Sequence, residues 1–374
     1  MSAKPARKAK KTKKALRFRD FLFCLALVGL GIALPRLAAL SPETVESLFS
    51  NGLYPAVSSA LGTVTGLLPF SLAEILLVGG ALVLLLLVLQ KLWQLLKKRL
   101  SFQKLLCFLV ALLIVFGVLL NAFYFEWGFN YARPKLAQLM NLTIKERSAE
   151  ELNELCESLR AKAILLRGQV SEDKDGVFTL EGGYLEEFKK IPAAYVKLGS
   201  TNPLFARGVP VAKGVFFSES LSKAGISGIY IPFTAEANVN VDQPPLLVLS
   251  SAAHESAHFC GIAREDEANF VAYLACSASS DPSVAYSGTM LALINCSNAL
   301  CDADPGLYGA LRERYSDAME RDLADYRAYW DAFEGPVKET MNKVNDNYLK
   351  YNLQESGVKS YGEMVDLMLA YYFG

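Results

Sequence analysis

Leu246-Leu247-Val248-Leu249-Ser250-Ser251-Ala252-Ala253-His254-Glu255-Ser256-Ala257-His258-Phe259-Cys260-Gly261 is the stretch from which the fold is best read. Histidines four residues apart share one helical face, a turn from each other, so both imidazoles can reach one zinc ion. Glu255, beside the first histidine, can then serve as general base toward an attacking water. The apolar run before the motif would bury the helix, and Ala252, Ala253 and Ala257 favour helix and close packing. The chain has two histidines in all, and both lie here. A metal-free core pair is the competing reading, but it gives no reason for the glutamate.

A catalytic zinc site takes three protein ligands and keeps one position open. With no third histidine, the last ligand must be a carboxylate or, less readily, a cysteine. Gly261 can end the motif helix as a left-handed cap and let the chain turn back. A second helix over 264–277 would then begin beside the metal. Glu265 and Asn269 share a face at i,i+4, whereas Glu267 points about 200° away from Glu265 on an ideal helix. Glu265 is therefore the preferred ligand, with Asn269 orienting a histidine ring and Glu267 as runner-up. Acids also favour a helix N-terminus for its dipole alone.

These residues carry two resemblances. His254-Glu255-x-x-His258 followed by Glu265-x-x-Ala268-Asn269 is similar to the gluzincin metallopeptidases, whose third ligand is the Glu of an E-x-x-A-D or E-x-x-x-D pattern. The chain departs in having Asn269 where those have Asp, and in leaving only six residues between His258 and Glu265. More closely, it resembles a bacterial family of membrane proteins, domain-of-unknown-function family 3810. The matching features are three N-terminal spans, Tyr230-Ile231-Pro232-Phe233-Thr234-Ala235-Glu236-Ala237-Asn238-Val239-Asn240, the stretch 254–270, Tyr348-Leu349-Lys350 and Ser360-Tyr361-Gly362. This resemblance implies a zincin-like domain. Zincin-like folds place an edge strand before the motif helix to bind extended peptide. Gly228-Ile229-Tyr230-Ile231-Pro232 is the candidate strand, and Glu236 and Asn238 are candidates for lining the cleft; a structural strand and polar turn is the alternative. For a donor to the oxyanion of a tetrahedral intermediate, Tyr286 and Tyr230 are candidates among 17 tyrosines.

Composition locates the rest. The chain is 52% hydrophobic with zero formal charge, but residues 1–125 carry 15 Lys and Arg against 4 Asp and Glu, and residues 126–374 carry 23 against 34. Basic flanks on membrane segments, with an acidic globular remainder, account for this split better than nucleic-acid binding does. Unbroken apolar runs at 21–34, 75–89 and 105–120 extend to spans of about 21–40, 70–92 and 102–125. The first run could alternatively be the apolar region of a signal peptide. The tail at 1–20 and the link at 91–104 are basic, and 38–73 holds no Lys or Arg, so the first two are expected inside and everything after about residue 125 outside. Tyr124, Phe125, Trp127, Phe129 and Tyr131 are read as an aromatic belt at the outer boundary.

Residues 126–374 are expected to form an α+β, zincin-like, largely helical domain. A capping box at Ser148-Ala149-Glu150-Glu151 opens a helix to about Arg167. Runs at 177–180, 214–217 and 228–233 are predicted strands, and 306–315, 317–333, 336–347 and 361–372 predicted helices. Tyr326, Tyr329 and Trp330 are read as packing surface. Cys296 and Cys301 could bridge in an extracytoplasmic domain, or remain buried thiols. The expected protein is a membrane-anchored zinc peptidase acting on peptide or protein substrates. A catalytically silent zinc-binding sensor or scaffold is the alternative, and a metal-free structural domain is the third possibility.

Overall fold

Three helices are long and apolar enough to cross a membrane: Arg19–Ala38, Leu72–Leu96 and Phe102–Glu126. The computed structural model describes residues 18–374, so most of the basic tail lies outside the described residues. Pro35 does not stop the first helix, which continues to Ala38. Small residues let the first and third spans meet. Gly31 lies against Leu120 and Asn121, and Gly117 against Leu27 and Val28. The Asn121 amide donates to the carbonyls of Leu27 (2.8 Å) and Gly117 (2.7 Å), satisfying a polar group inside an apolar bundle. The second span stands apart, its side chains mostly exposed.

The rest is largely helical around a small sheet. Ser148 closes a capping box with Glu151 and opens the helix Ala149–Arg167. A later layer consists of Pro245–Phe259, Glu265–Ala278 and Pro282–Ala303, the second and third packing on the first. The central helix Pro282–Ala303 was not anticipated. Its signal was Asp281-Pro282: the Asp281 carboxylate caps Ser283 and Val284, and proline occupies the first turn, where it forfeits no hydrogen bond. The closing helices run Pro305–Arg312, Asp317–Asp331, Pro336–Tyr351 and Met364–Phe373.

Strands β1 (Lys213–Gly214), β2 (Gly228–Ile231) and β3 (Glu236–Val239) form a sheet of order β1-β3-β2. β1 is parallel to β3 and β2 antiparallel, with Gly228 opposite Val239 and Ile231 opposite Glu236. The sequence overstates two strands and misses β3. Pro232 ends β2, and the chain reverses through a 3-10 turn and a left-handed Ala235 (φ 51°). Strand β1 stops early because the amides of Phe216 and Phe217 bond to the Glu74 carboxylate (2.9 and 2.7 Å). The run at 177–180 supplies a single bridge, Phe178 to Glu172.

One open alternative is decided, for the thiols against the bridge, and one expectation, the aromatic belt, is corrected. All seven cysteines are free, and Cys296 and Cys301 lie on one helix, five residues apart, where the backbone keeps their side chains on different faces. Of the aromatics at the end of the third span and just beyond it, Tyr124, Trp127 and Tyr131 turn inward and are buried; Phe125 remains exposed. The core also takes Val45, Phe49 and Tyr54 from between the first two spans.

A buried ion pair joins the sheet to the second span. Glu236 of β3 accepts from Lys213 Nζ and from the first-turn amides of Leu72 (3.1 Å) and Ala73 (2.7 Å). Lys213 also donates to the carbonyls of Thr65 (2.8 Å) and Phe70 (3.0 Å). Removing one partner of a buried pair strands the other charge. Glu236→Gln is therefore expected to destabilise the fold by about 3–5 kcal/mol, measurable as a lowered unfolding midpoint of the full chain in detergent.

Candidate metal centre

The motif helix Pro245–Phe259 is buried on every side, as its apolar composition requires. Tyr195 donates to the Ala253 carbonyl (2.6 Å), and the Ser250 amide donates to Ser287 of the central helix (3.0 Å). Gly261 takes φ 81°, and the Ile262 amide returns to the Ala257 carbonyl (3.2 Å). This left-handed stop lets the next helix start at Glu265, beside the histidines.

His254, His258 and Glu265, all buried, converge there, with their ligand atoms within 4.8 Å of one another. His254 Nε2 is 3.1 Å from His258 Nε2 and 3.1 Å from Glu265 Oε2; His258 Nε2 is 3.7 Å from that oxygen. Outer partners fix both rings. His258 Nδ1 donates to the Ile262 carbonyl at 2.7 Å, and His254 Nδ1 to Asn269 Oδ1 at 2.8 Å. A carbonyl can only accept, so the neutral His258 ring presents its lone pair through Nε2. Two lone pairs and a carboxylate facing one another need a positive charge between them. Atoms bound at about 2.0–2.1 Å to a tetrahedral ion stand roughly 3.3 Å apart, close to the separations here, so the donor set fits zinc.

The titration of these groups follows from the same crowding. Burial alone would depress His258, but Glu265 outweighs it and lifts the imidazole to about 9. Burial would raise the Glu265 carboxyl, but His258 and His254 hold it well below the usual carboxylate range. With no metal bound, a proton on His258 supplies the charge that a cation would bring.

Glu255 lies beside this cluster and against the sheet. A Cβ on Gly228, at the head of β2, would come 2.6 Å from its Oε1, so only glycine fits there. Burial raises its pKa, opposed by the histidines and by the Tyr230 backbone N–H. A carboxylate raised toward neutrality suits a group that must take up and release a proton.

Residues from well before the motif hold the end of its helix. Trp127 Nε1 donates to the His258 carbonyl (3.0 Å), and its ring meets the His258 ring edge to face at 5.8 Å. Tyr54 donates to the Phe259 carbonyl (2.9 Å) and lies 3.2 Å from the Tyr230 hydroxyl. Arg133, paired with Glu46 at 2.7 Å, donates to the Gly261 carbonyl (2.9 Å). Sequence reasoning missed Tyr54 and Arg133, which carry no motif. It missed Tyr348 too: Tyr131 donates to the Tyr348 hydroxyl (3.3 Å), and Glu265 is near enough that its charge adds to burial in raising that phenol.

The other candidates separate cleanly. Glu267 accepts from the Leu136 amide (2.7 Å) and pairs with Arg264, facing away from the histidines. Glu236 anchors the second span instead of lining a cleft. Asn238 is buried in β3, its amide donating to the Glu236 (3.0 Å) and Ile229 (3.3 Å) carbonyls. Tyr230 backs the His258 ring (6.4 Å) and bonds to Tyr54. Tyr286 is a core anchor, donating to Asp322 (2.7 Å) within a buried pair with Arg167. Asn269→Ala removes the partner at Nδ1 of the His254 ring; for a zinc ion held by this cluster the expected loss of affinity is about 10–100-fold, read by competition with a chromogenic chelator.

Comparison with known proteins adds one finding. No curated protein and no solved structure matches the chain. Residues 49–369 match the family described as protein of unknown function (DUF3810). That match runs from the segment between the first two spans to the last helix and takes in the whole histidine–carboxylate cluster, so the chain belongs to this family.

Proposed function

We propose that the protein is a membrane-anchored zinc peptidase with a zincin-like domain outside the cytoplasmic membrane. The observation that carries this reading is the convergence of His254, His258 and Glu265, both rings fixed from behind, with Glu255 set between that cluster and β2. Zinc held by the three side chains would supply a Lewis acid that polarises a peptide carbonyl and acidifies water. Glu255 takes the attacking water's proton and passes it to the departing amine, a cycle its raised pKa favours. Among the described residues β2 is an edge strand, so an extended peptide can add to it and lie across Glu255. The basic tail and the basic link at 91–104 favour the cytoplasmic side for both, and so an external C-terminal domain.

The test uses the full chain in nanodiscs, with metal content measured by mass spectrometry and hydrolysis assayed on a mixed peptide library. One zinc per chain is expected, with cleavage abolished by a chelator and restored by zinc. A folded protein that stays metal-free after incubation with zinc overturns the reading.

A further inference from the structure

The cluster is tied to the segments that would leave the bilayer on its outer side. Trp127, bonded to the His258 carbonyl, is the first residue after the third span. Tyr54, bonded to the Phe259 carbonyl, opens the helix Tyr54–Gly66, and a Cβ on Gly62 of that helix would sit 2.9 Å from the Phe259 ring. β3 holds the first turn of the second span through Glu236, and Glu74 of that turn holds the amides of Phe216 and Phe217.

The surface around these ties is apolar. Between the first two spans, Val45, Phe49 and Tyr54 point into the core while Leu48, Leu53, Val64 and Leu67 are exposed, Leu67 by 81%. Phe216 is exposed by 87% beside the second span. The segment carries no Lys or Arg, and both its ends run into spans, so its apolar face is held at the level where those spans end. A half-buried helix with an apolar outer face in that position is suited to the lipid interface.

We propose that this face rests in the outer headgroup layer, so that the centre works at the bilayer surface on polypeptide held there, within a few residues of a membrane anchor. The substrate class rests on the peptidase reading above; the placement does not.

The test has two readouts on the full chain in nanodiscs. Trp127 is buried, so the reporter is F216W, at a side chain exposed on this face, and brominated phospholipids report the depth of the added tryptophan by its quenching relative to the unsubstituted chain. Should that variant fail to fold, L67W reports the same level, since Leu67 also packs little. The second readout maps cleavage in random peptides carried on a lipid anchor or on a transmembrane helix. The two carriers distinguish the kinds of anchor.

Loss of the added tryptophan's emission to shallow bromines is expected, with cuts concentrated within about five residues of either anchor, a reach of ~16 Å at 3.3 Å per residue. Unquenched tryptophan overturns the placement whatever the peptides do. Cuts confined to positions beyond about nine residues, ~30 Å out, overturn the substrate class. Quenched tryptophan with no cleavage from either carrier refutes the peptidase reading and its substrate class, and leaves the placement standing.

Discussion

Glu255→Gln is expected to lower peptide turnover by about 10²–10⁴-fold, the usual contribution of a positioned general base, with zinc content unchanged. Glutamine has nearly the same shape, so the close contact with Gly228 and the Tyr230 backbone N–H can be kept. What disappears is the capacity to accept a proton. Aspartate in the same place would withdraw the carboxylate by one methylene and is expected to restore little. Single-turnover assays at saturating peptide separate this loss from weaker binding. Full activity in a zinc-loaded Glu255→Gln protein would move the base to another residue.

His258→Ala should abolish zinc-dependent stabilisation. A ligand bound only by the native state stabilises it by about 4 kcal/mol at a thousand times its Kd, which for a domain of this size raises Tm by roughly 8–16 °C. The wild-type chain is expected to show a shift of that order between chelator and zinc. In the variant, Glu265 and His254 alone leave an incomplete set, and Glu265 loses the charge that does most to hold its carboxyl low. Equal zinc shifts in both proteins would mean that the ion binds elsewhere.

The spans and the histidine motif were legible because each is local: an apolar run of membrane length, or two rings one turn apart. The preference for Glu265 was a local argument as well, since residues four apart share a face, and the structure sets Glu265 and Asn269 at opposite nitrogens of the His254 ring. What escaped was long-range. Nothing near Tyr54 or Arg133 announces that they hold carbonyls some 130 to 200 residues away, and Glu236 reads as a cleft acid until its bonds to Leu72 and Ala73 are seen. The helix Pro282–Ala303 was hidden by its serines, cysteines and asparagines, which blur the apolar period although one face is buried. β3 was hidden by brevity, lying four residues after another strand.

Asn269 sets the electronic character of His254. A carboxylate in its position would draw the Nδ1 proton toward itself and push electron density through the imidazole onto Nε2. The neutral amide, at the same hydrogen-bonding distance, pulls far less. The ring is a weaker donor as a result, and a zinc ion held at the centre would keep more of its own charge. Looser retention and stronger polarising power would thus come from one side chain, and a chain with aspartate at 269 should hold such an ion more tightly while activating it less.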